Sequence, residues 1–275
     1  MCEKIHAVGA LIGTFDILGA KSMYSATNTN TSSKLSELVL KTVSEATCAF
    51  ANELKKLFKQ NEQLDEIFGS IVSHSSSYFY ADTIVFICGV SEIDKRIRPF
   101  AIDFCLSLAQ NITSRMFMHG LPVRGCLSYG TVSMFHDNNR IIITGKPYVD
   151  AIRISDSLEF SGTVATEEFY TYLKAAQKDI TSFEEKLFSL PFVVKDKHQK
   201  AGTKTIIGWC LDWIGNSKFL LEHADIRQLI FNSFASHGKT LGDSVVEKIN
   251  NTETVIRLLI HRRAEQKSSQ SVKLN

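Results

Sequence analysis

LIGTFD (11–16) and SSYFYADTIVFIC (76–88) are the two stretches whose reading decides the fold. Both are apolar and rich in β-branched and aromatic residues, so both read as buried strand. Each carries one aspartate, Asp16 at the end of the first and Asp82 inside the second. A carboxylate among buried strand residues is costly to desolvate unless it is paired or bound to a cation. Two such carboxylates, each followed by a hydrophobic run, predict adjacent strand ends that clamp one or two divalent ions. A metal site of that kind generally serves a nucleoside triphosphate. Taken alone, Asp16 reads rather as a turn or cap residue, and Asp82 reads also as a strand-edge residue facing solvent; the two together with the later motifs favour metal binding.

Working outward, residues 7–16 are expected as a first strand and residues 25–33 as a polar loop. Residues 34–59 show helical spacing, with Ser32 and Ser33 as candidate caps. The strand over 78–88 follows, then a helix over 98–118 with Pro99 in its first turn. A strand over 123–132, a polar turn over 133–139 and a short strand over 140–144 form a hairpin. A helix is expected over 147–158, a strand over 162–165 and a late β pair at 192–194 and 205–209. From residue 224 onward the chain reads as mostly helical, ending in a frayed basic tail. This order predicts an α+β fold, a split βαβ (ferredoxin-like) sheet with helices packed on one face, plus a C-terminal helical extension. The expected division is 1–215 for the main domain and 216–275 for the extension.

The 275 residues suffice for one sizeable core. A hydrophobic content of 44% and a charged content of 22% are those of a globular protein, and a net charge of +2 argues against a nucleic-acid partner. No run of about 18 apolar residues predicts a membrane span, and the N-terminus lacks the pattern of a signal peptide. The six cysteines include no CxxC pair, which favours reduced core thiols in a cytoplasmic protein.

Four segments in this order resemble the class III nucleotidyl cyclase catalytic domain: FDILGAK (15–21), YADTIVFI (80–87), VRGCLSYGTV (123–132) and GKPYVDAIRI (145–154). The resemblance spans roughly residues 7–215. It implies that Asp16, the Ile17 carbonyl and Asp82 hold two divalent ions, Mn²⁺ or Mg²⁺. It further implies a phosphate-facing turn at Gly19 and Lys21. The strand motif is matched around Arg124 with its first glycine displaced by one position. The helix motif is matched at Gly145, Ala151 and Arg153, which gives Arg153 the role of meeting the developing phosphate charge across a head-to-tail homodimer. Arg124 reads equally as a phosphate contact and as a structural ion pair, and Arg153 equally as catalytic and as a partner of Asp150 or Asp156.

Three positions depart from the family pattern. Tyr78 stands where a lysine commonly reads the purine base, Ile142 at the second base-reading position, and Val149 where an asparagine supports the transition state. The ring and hydroxyl of Tyr78 suit a smaller pyrimidine, although ordinary strand packing explains the residue as well. These departures resemble the pyrimidine cyclases of bacterial Pycsar anti-phage systems. That resemblance implies UTP as substrate, with CTP a close second, cyclic UMP or cyclic CMP as product, and a separate effector protein activated by it. A purine cyclase with unusual base recognition, a polymerase-like palm and a non-catalytic nucleotide-binding domain are the competing readings.

Overall fold

The computed structural model describes residues 6–21, 23, 33, 36–42, 44–45, 48, 63–80, 82–137, 140–176, 185–196, 202–215, 225–239 and 241–273. Its strands are β1 (His6–Ile17), β2 (Ser75–Tyr80), β3 (Thr83–Cys88), β4 (Val123–Asp137), β5 (Arg140–Thr144), β6 (Gly162–Ala165), β7 (Leu187–Lys195) and β8 (Thr203–Leu211). They form one mixed sheet in the order β2-β3-β1-β4-β6-β8-β7, with β5 paired to β4. Only the β4–β6 pair is parallel among the described pairs. A parallel pair requires a crossover, here through α3 (Lys146–Ser157).

Alternation along β1 sorts its side chains between two cores. Leu11, Phe15 and Ile17 join one, built with α2 (Arg98–Met118) and α4 (Glu167–Ala176). The expected helical layer lies on this face, together with α1 (Gln63–Ser73) through Ile71. Val8, Ala10 and Ile12 join the other, which contains Ala151 of α3 and residues of α5 (Ile226–Ala235) and α6 (Asp243–Lys273). The C-terminal helices therefore share a core with the sheet. Ser233 donates to the Phe117 carbonyl (2.8 Å), and the Ser161 amide donates to Thr252 Oγ1 (2.9 Å).

Helix 98–118 lies at the expected residues but is buried on nearly every side instead of being amphipathic, and most other elements are longer or shifted by a residue or two. Three expectations are corrected. The single strand over 78–88 is a hairpin, β2 and β3, closed by the pair Tyr80–Thr83, so Asp82 sits in a turn. The run hides its turn because β3 is buried along nearly its whole length and needs no polar alternation. Second, β4 continues to Asp137, because residues 133–137, which include the apolar Met134 and Phe135, pair with β5 instead of forming a turn. Third, the basic tail is helical to Lys273, helped by i,i+3 and i,i+4 pairing of Arg262 and His261 with Glu265 (3.1 and 3.2 Å). Helices α1 and α4 were not anticipated. Helical residues 36–42, 44–45 and 48 agree with the helix expected over 34–59, and Ser33 is already helical, so it is no cap. The rest of that helix, Ser32 and most of the loop expected over 25–33 lie outside the described residues.

Gly13 shows how tightly the central strands meet. A Cβ there would lie 2.2 Å from the Phe86 ring, which itself stacks on Phe15. Gly13→Ala should cost about 1–3 kcal/mol through overpacking. Urea unfolding of the variant measures it, and an unchanged midpoint would contradict this packing.

Candidate active site

Register places the two aspartates together. Asp16 pairs with Thr83 across β1 and β3, so Asp82 is diagonal to it, one residue away on the neighbouring strand end. On the opposite side, Asp16 pairs with Arg124 of β4. The row Thr83, Asp16, Arg124 thus crosses three strands at one end of the sheet, with Asp82 in the turn next to Thr83. The turn is fixed there because the Ile17 amide donates to the Asp82 carbonyl (2.9 Å).

Each guanidinium nitrogen of Arg124 makes a hydrogen bond. Its Nε donates to Asp16 Oδ2 (2.6 Å), Nη1 to the Asp156 carbonyl (2.7 Å) and Nη2 to Asp156 Oδ1 (3.2 Å). It joins β1, β4 and the end of α3. Burial pushes the Asp16 carboxyl above the ordinary carboxylate value even though Arg124 opposes the shift, and the negative charge of Asp82 pushes the same way. A buried carboxylate facing a second carboxylate gains from a cation between or beside them.

Both aspartates line a cleft of about 660 Å³. Ile17, Gly19, Lys21 and Arg124 line it too. Gly19 makes the turn after β1 with φ 79°, in the left-handed region that favours glycine. The amides of this turn are not all available to a ligand, since Leu18 N–H donates to the Pro122 carbonyl (2.8 Å). The remaining two candidates lie elsewhere. Arg153 is exposed on α3 and pairs with Asp150 (2.9 Å). Tyr78 is half-buried on the edge strand β2, opposite Val85, and its hydroxyl is enclosed without a hydrogen-bond partner among the described residues. Ile142 and Val149 are exposed apolar side chains, 49% and 58% accessible.

Sequence reasoning missed five residues of the cleft wall: Lys195 from β7, and Phe234, Lys239, Val245 and Lys248 from the C-terminal helices and their connection. No local motif marks them, because the sheet order brings Lys195 of β7 to the cleft and only the packing of α5 and α6 brings the others.

The site's donors suit a hard divalent cation. Two carboxylates and a nearby backbone carbonyl are oxygen donors, as Mg²⁺ and Mn²⁺ require. Among the described residues no group of three or more His, Cys, Asp or Glu side chains could hold a metal, so the remaining ligands would be substrate or water oxygens. Four of the described cysteines, Cys88, Cys105, Cys126 and Cys210, are buried free thiols. None of the described helices is long and apolar enough to cross a membrane.

No protein-family model and no curated relative matches this sequence. Among solved structures, the chain is similar to the adenylyl cyclase CyaB from P. aeruginosa at 12% identity and a TM-score of 0.44, over 76% of this chain and 96% of that one. It is similar to the guanylate cyclase domain of RhGC from Catenaria anguillulae, solved with GTP, at 14% identity and a TM-score of 0.46, over 75% and 97%. A third likeness, at 16% identity and a TM-score of 0.43 over 76% and 97%, is to the non-canonical dimeric guanylyl cyclase domain of the RhoGC fusion protein from the aquatic fungus Blastocladiella emersonii.

Proposed function

We propose that this chain is a nucleotide cyclase that closes a pyrimidine nucleoside triphosphate, UTP ahead of CTP, to its 3′,5′-cyclic monophosphate. The observation that carries the reading is the pair Asp16 and Asp82, on neighbouring strand ends at the edge of one lysine-lined cleft. In the reaction the ribose 3′-oxygen bonds to the α-phosphorus, the bond from that phosphorus to the bridging oxygen breaks, and diphosphate leaves with the proton released to solvent. Such a step needs alignment and charge neutralisation more than an elaborate acid–base apparatus.

Asp16, Asp82 and the Ile17 carbonyl would hold two ions, Mn²⁺ or Mg²⁺. Bound there, the ions would acidify the 3′-hydroxyl and neutralise the phosphates. Arg124 holds Asp16 in place through Oδ2 and lines the same wall, where its remaining N–H groups would meet phosphate. Gly19 lets the backbone turn closely around a phosphate, and Lys21 meets its charge. Arg153 would act in the site of a second copy, in a head-to-tail homodimer, which accounts for its distance from its own cleft. Residues 1–215 would form the catalytic unit and 216–275 an extension.

The pyrimidine assignment is supported by Tyr78, Ile142 and Val149. None offers the side-chain lysine, polar group or amide that purine recognition and catalysis use in the cyclase family. The product would act as a second messenger on a separate effector protein in anti-phage defence. Val149 also favours a second reading, a cyclase-fold module that binds nucleotide without turning it over.

Incubating the purified chain with each of the four nucleoside triphosphates and Mn²⁺, then identifying products by mass spectrometry, separates these readings. Cyclic UMP is the expected main product. Cyclic AMP or cyclic GMP as the main product would refute the pyrimidine assignment, and no cyclic product from any substrate would favour the binding module.

A further inference from the structure

We infer that Lys239 and Lys248, from the C-terminal helical segment of the same chain, bind the polyphosphate of the ligand opposite Asp16 and Asp82. The inference deepens the nucleotide reading of this cleft and rests on it for the identity of the ligand.

The cleft has two walls. One is the end of β1 and the turn after it, and the other includes Phe234, Lys239, Val245 and Lys248. The lining carries five cationic side chains, Lys21, Arg124, Lys195, Lys239 and Lys248, and the carboxylates of Asp16 and Asp82, while Asp156 pairs with Arg124 and Glu159 with Lys195 and Lys248 from outside the lining. Five cations against these four carboxylates leave the cleft net positive, as a site for a polyanion requires, and cations held by the aspartates would add to it.

Lys239 carries the argument furthest. Only 9% of it is accessible, and its Nζ donates to the carbonyls of Gly120 (2.7 Å) and Ser233 (3.4 Å). It has no carboxylate partner among the described residues. An ammonium enclosed with neutral acceptors alone lacks a counter-charge, which is costly. Burial accordingly pushes Lys239 down to about 7. An anionic ligand in the cleft would supply the missing charge. Lys248 is the complementary case: its side chain is 16% accessible and pairs with Glu159 (2.7 Å), which also pairs with Lys195 (3.7 Å). One buried carboxylate thus serves two lysines of the cleft wall, leaving net positive charge for a ligand.

The segment is also held in place. Ser233 and Lys239 bond the carbonyls of Phe117 and Gly120, and the His237 ring bonds that of His119 (2.8 Å). The following residues run to Pro122, whose carbonyl takes the Leu18 amide. His237 itself holds φ 60°, rare for a non-glycine residue, so its path is imposed by these contacts. Lys239 is therefore positioned against the β1 turn by a short series of hydrogen bonds.

The test is isothermal titration of the full-length chain with inorganic tripolyphosphate in metal-free buffer. Lys239→Met and Lys248→Met are each expected to weaken binding by about tenfold or more, as loss of a hydrogen bond to a charged group does. Lys248→Arg should restore most of the affinity. Lys41→Met, on an exposed helix position, should leave it within about twofold. If both methionine variants bind as the unaltered chain does, or the unaltered chain does not bind, the inference falls. A structural role alone would lower the melting temperature without changing affinity, and if Lys239→Met fails to fold, Lys248→Met decides. Lysine-dependent binding in a chain that yields no cyclic nucleotide would sink the cyclase reading and keep this one. Cyclic product with lysine-independent binding would do the reverse.

Discussion

Asp82→Asn should abolish cyclic-nucleotide formation while leaving the fold intact. Removing one carboxylate from a two-carboxylate metal site forfeits several kcal/mol of charge stabilisation, so turnover should drop by about a thousandfold or more. Stability should be unchanged or slightly higher. The negative charge of Asp82 helps push the Asp16 carboxyl above its ordinary value, so neutralising Asp82 relieves that repulsion. Asp82 sits in a turn anchored by its backbone carbonyl, and the substitution keeps that anchor. Asp16→Asn should be equally inactive but less stable, because Asp16 is also the partner of Arg124 at 2.6 Å. Product assays by mass spectrometry alongside thermal melts check both. Mn²⁺-dependent turnover retained in either variant would remove the metal role.

Arg263→Ala should be the most damaging single change to stability. Arg263 Nη1 bonds Asp212 Oδ2 (2.7 Å), and the Asp212 side chain is 3% accessible. Breaking such a pair from one side leaves a buried uncompensated carboxylate, at about 3–5 kcal/mol. The bond also ties α6 to the segment after β8, so the loss should loosen the C-terminal helices from the sheet. The pH dependence has a defined sign. Burial pushes Asp212 up to about 6 from 3.8 even with Arg263 lowering it. The folded chain thus holds this proton more tightly than the unfolded chain does. Its contribution to stability is greatest below 3.8 and declines as pH rises toward about 6. Removing Arg263 raises that carboxyl further, so the deficit of the variant should be largest near neutrality and shrink on acidification. Urea melts of both proteins at neutral and mildly acidic pH test this, and a deficit independent of pH would contradict it.

Legibility differed between parts of the chain for physical reasons. Helix 98–118 was plain because Pro99 marks its start and apolar residues recur along it, although Gln110, Asn111 and Thr113 are buried as well. The Asp16 turn was plain because an apolar strand ends directly in Asp-Ile-Leu-Gly. The β2–β3 hairpin was not, since its turn contains no glycine, proline or asparagine and its strands merge into one apolar run. Helix α4 did carry a signal: Thr166 caps it by accepting from the Phe169 amide (3.2 Å), two glutamates open it, and Phe169 and Leu173 are buried at i,i+4 spacing. For the cleft, the first wall follows from short motifs on β1, β3 and β4. The second wall depends on Lys195, Lys239 and Lys248, which are far apart in sequence and ordinary as surface lysines until the helices dock.

A crystal structure grown with Mn²⁺ and a non-cyclisable UTP analogue, with the metal located by anomalous scattering, would test the convergence of the two aspartates most directly. The expected result is manganese coordinated by the carboxylates of both Asp16 and Asp82 and by phosphate oxygens of the analogue. Manganese bound away from either aspartate, with the analogue outside this cleft, would contradict the account.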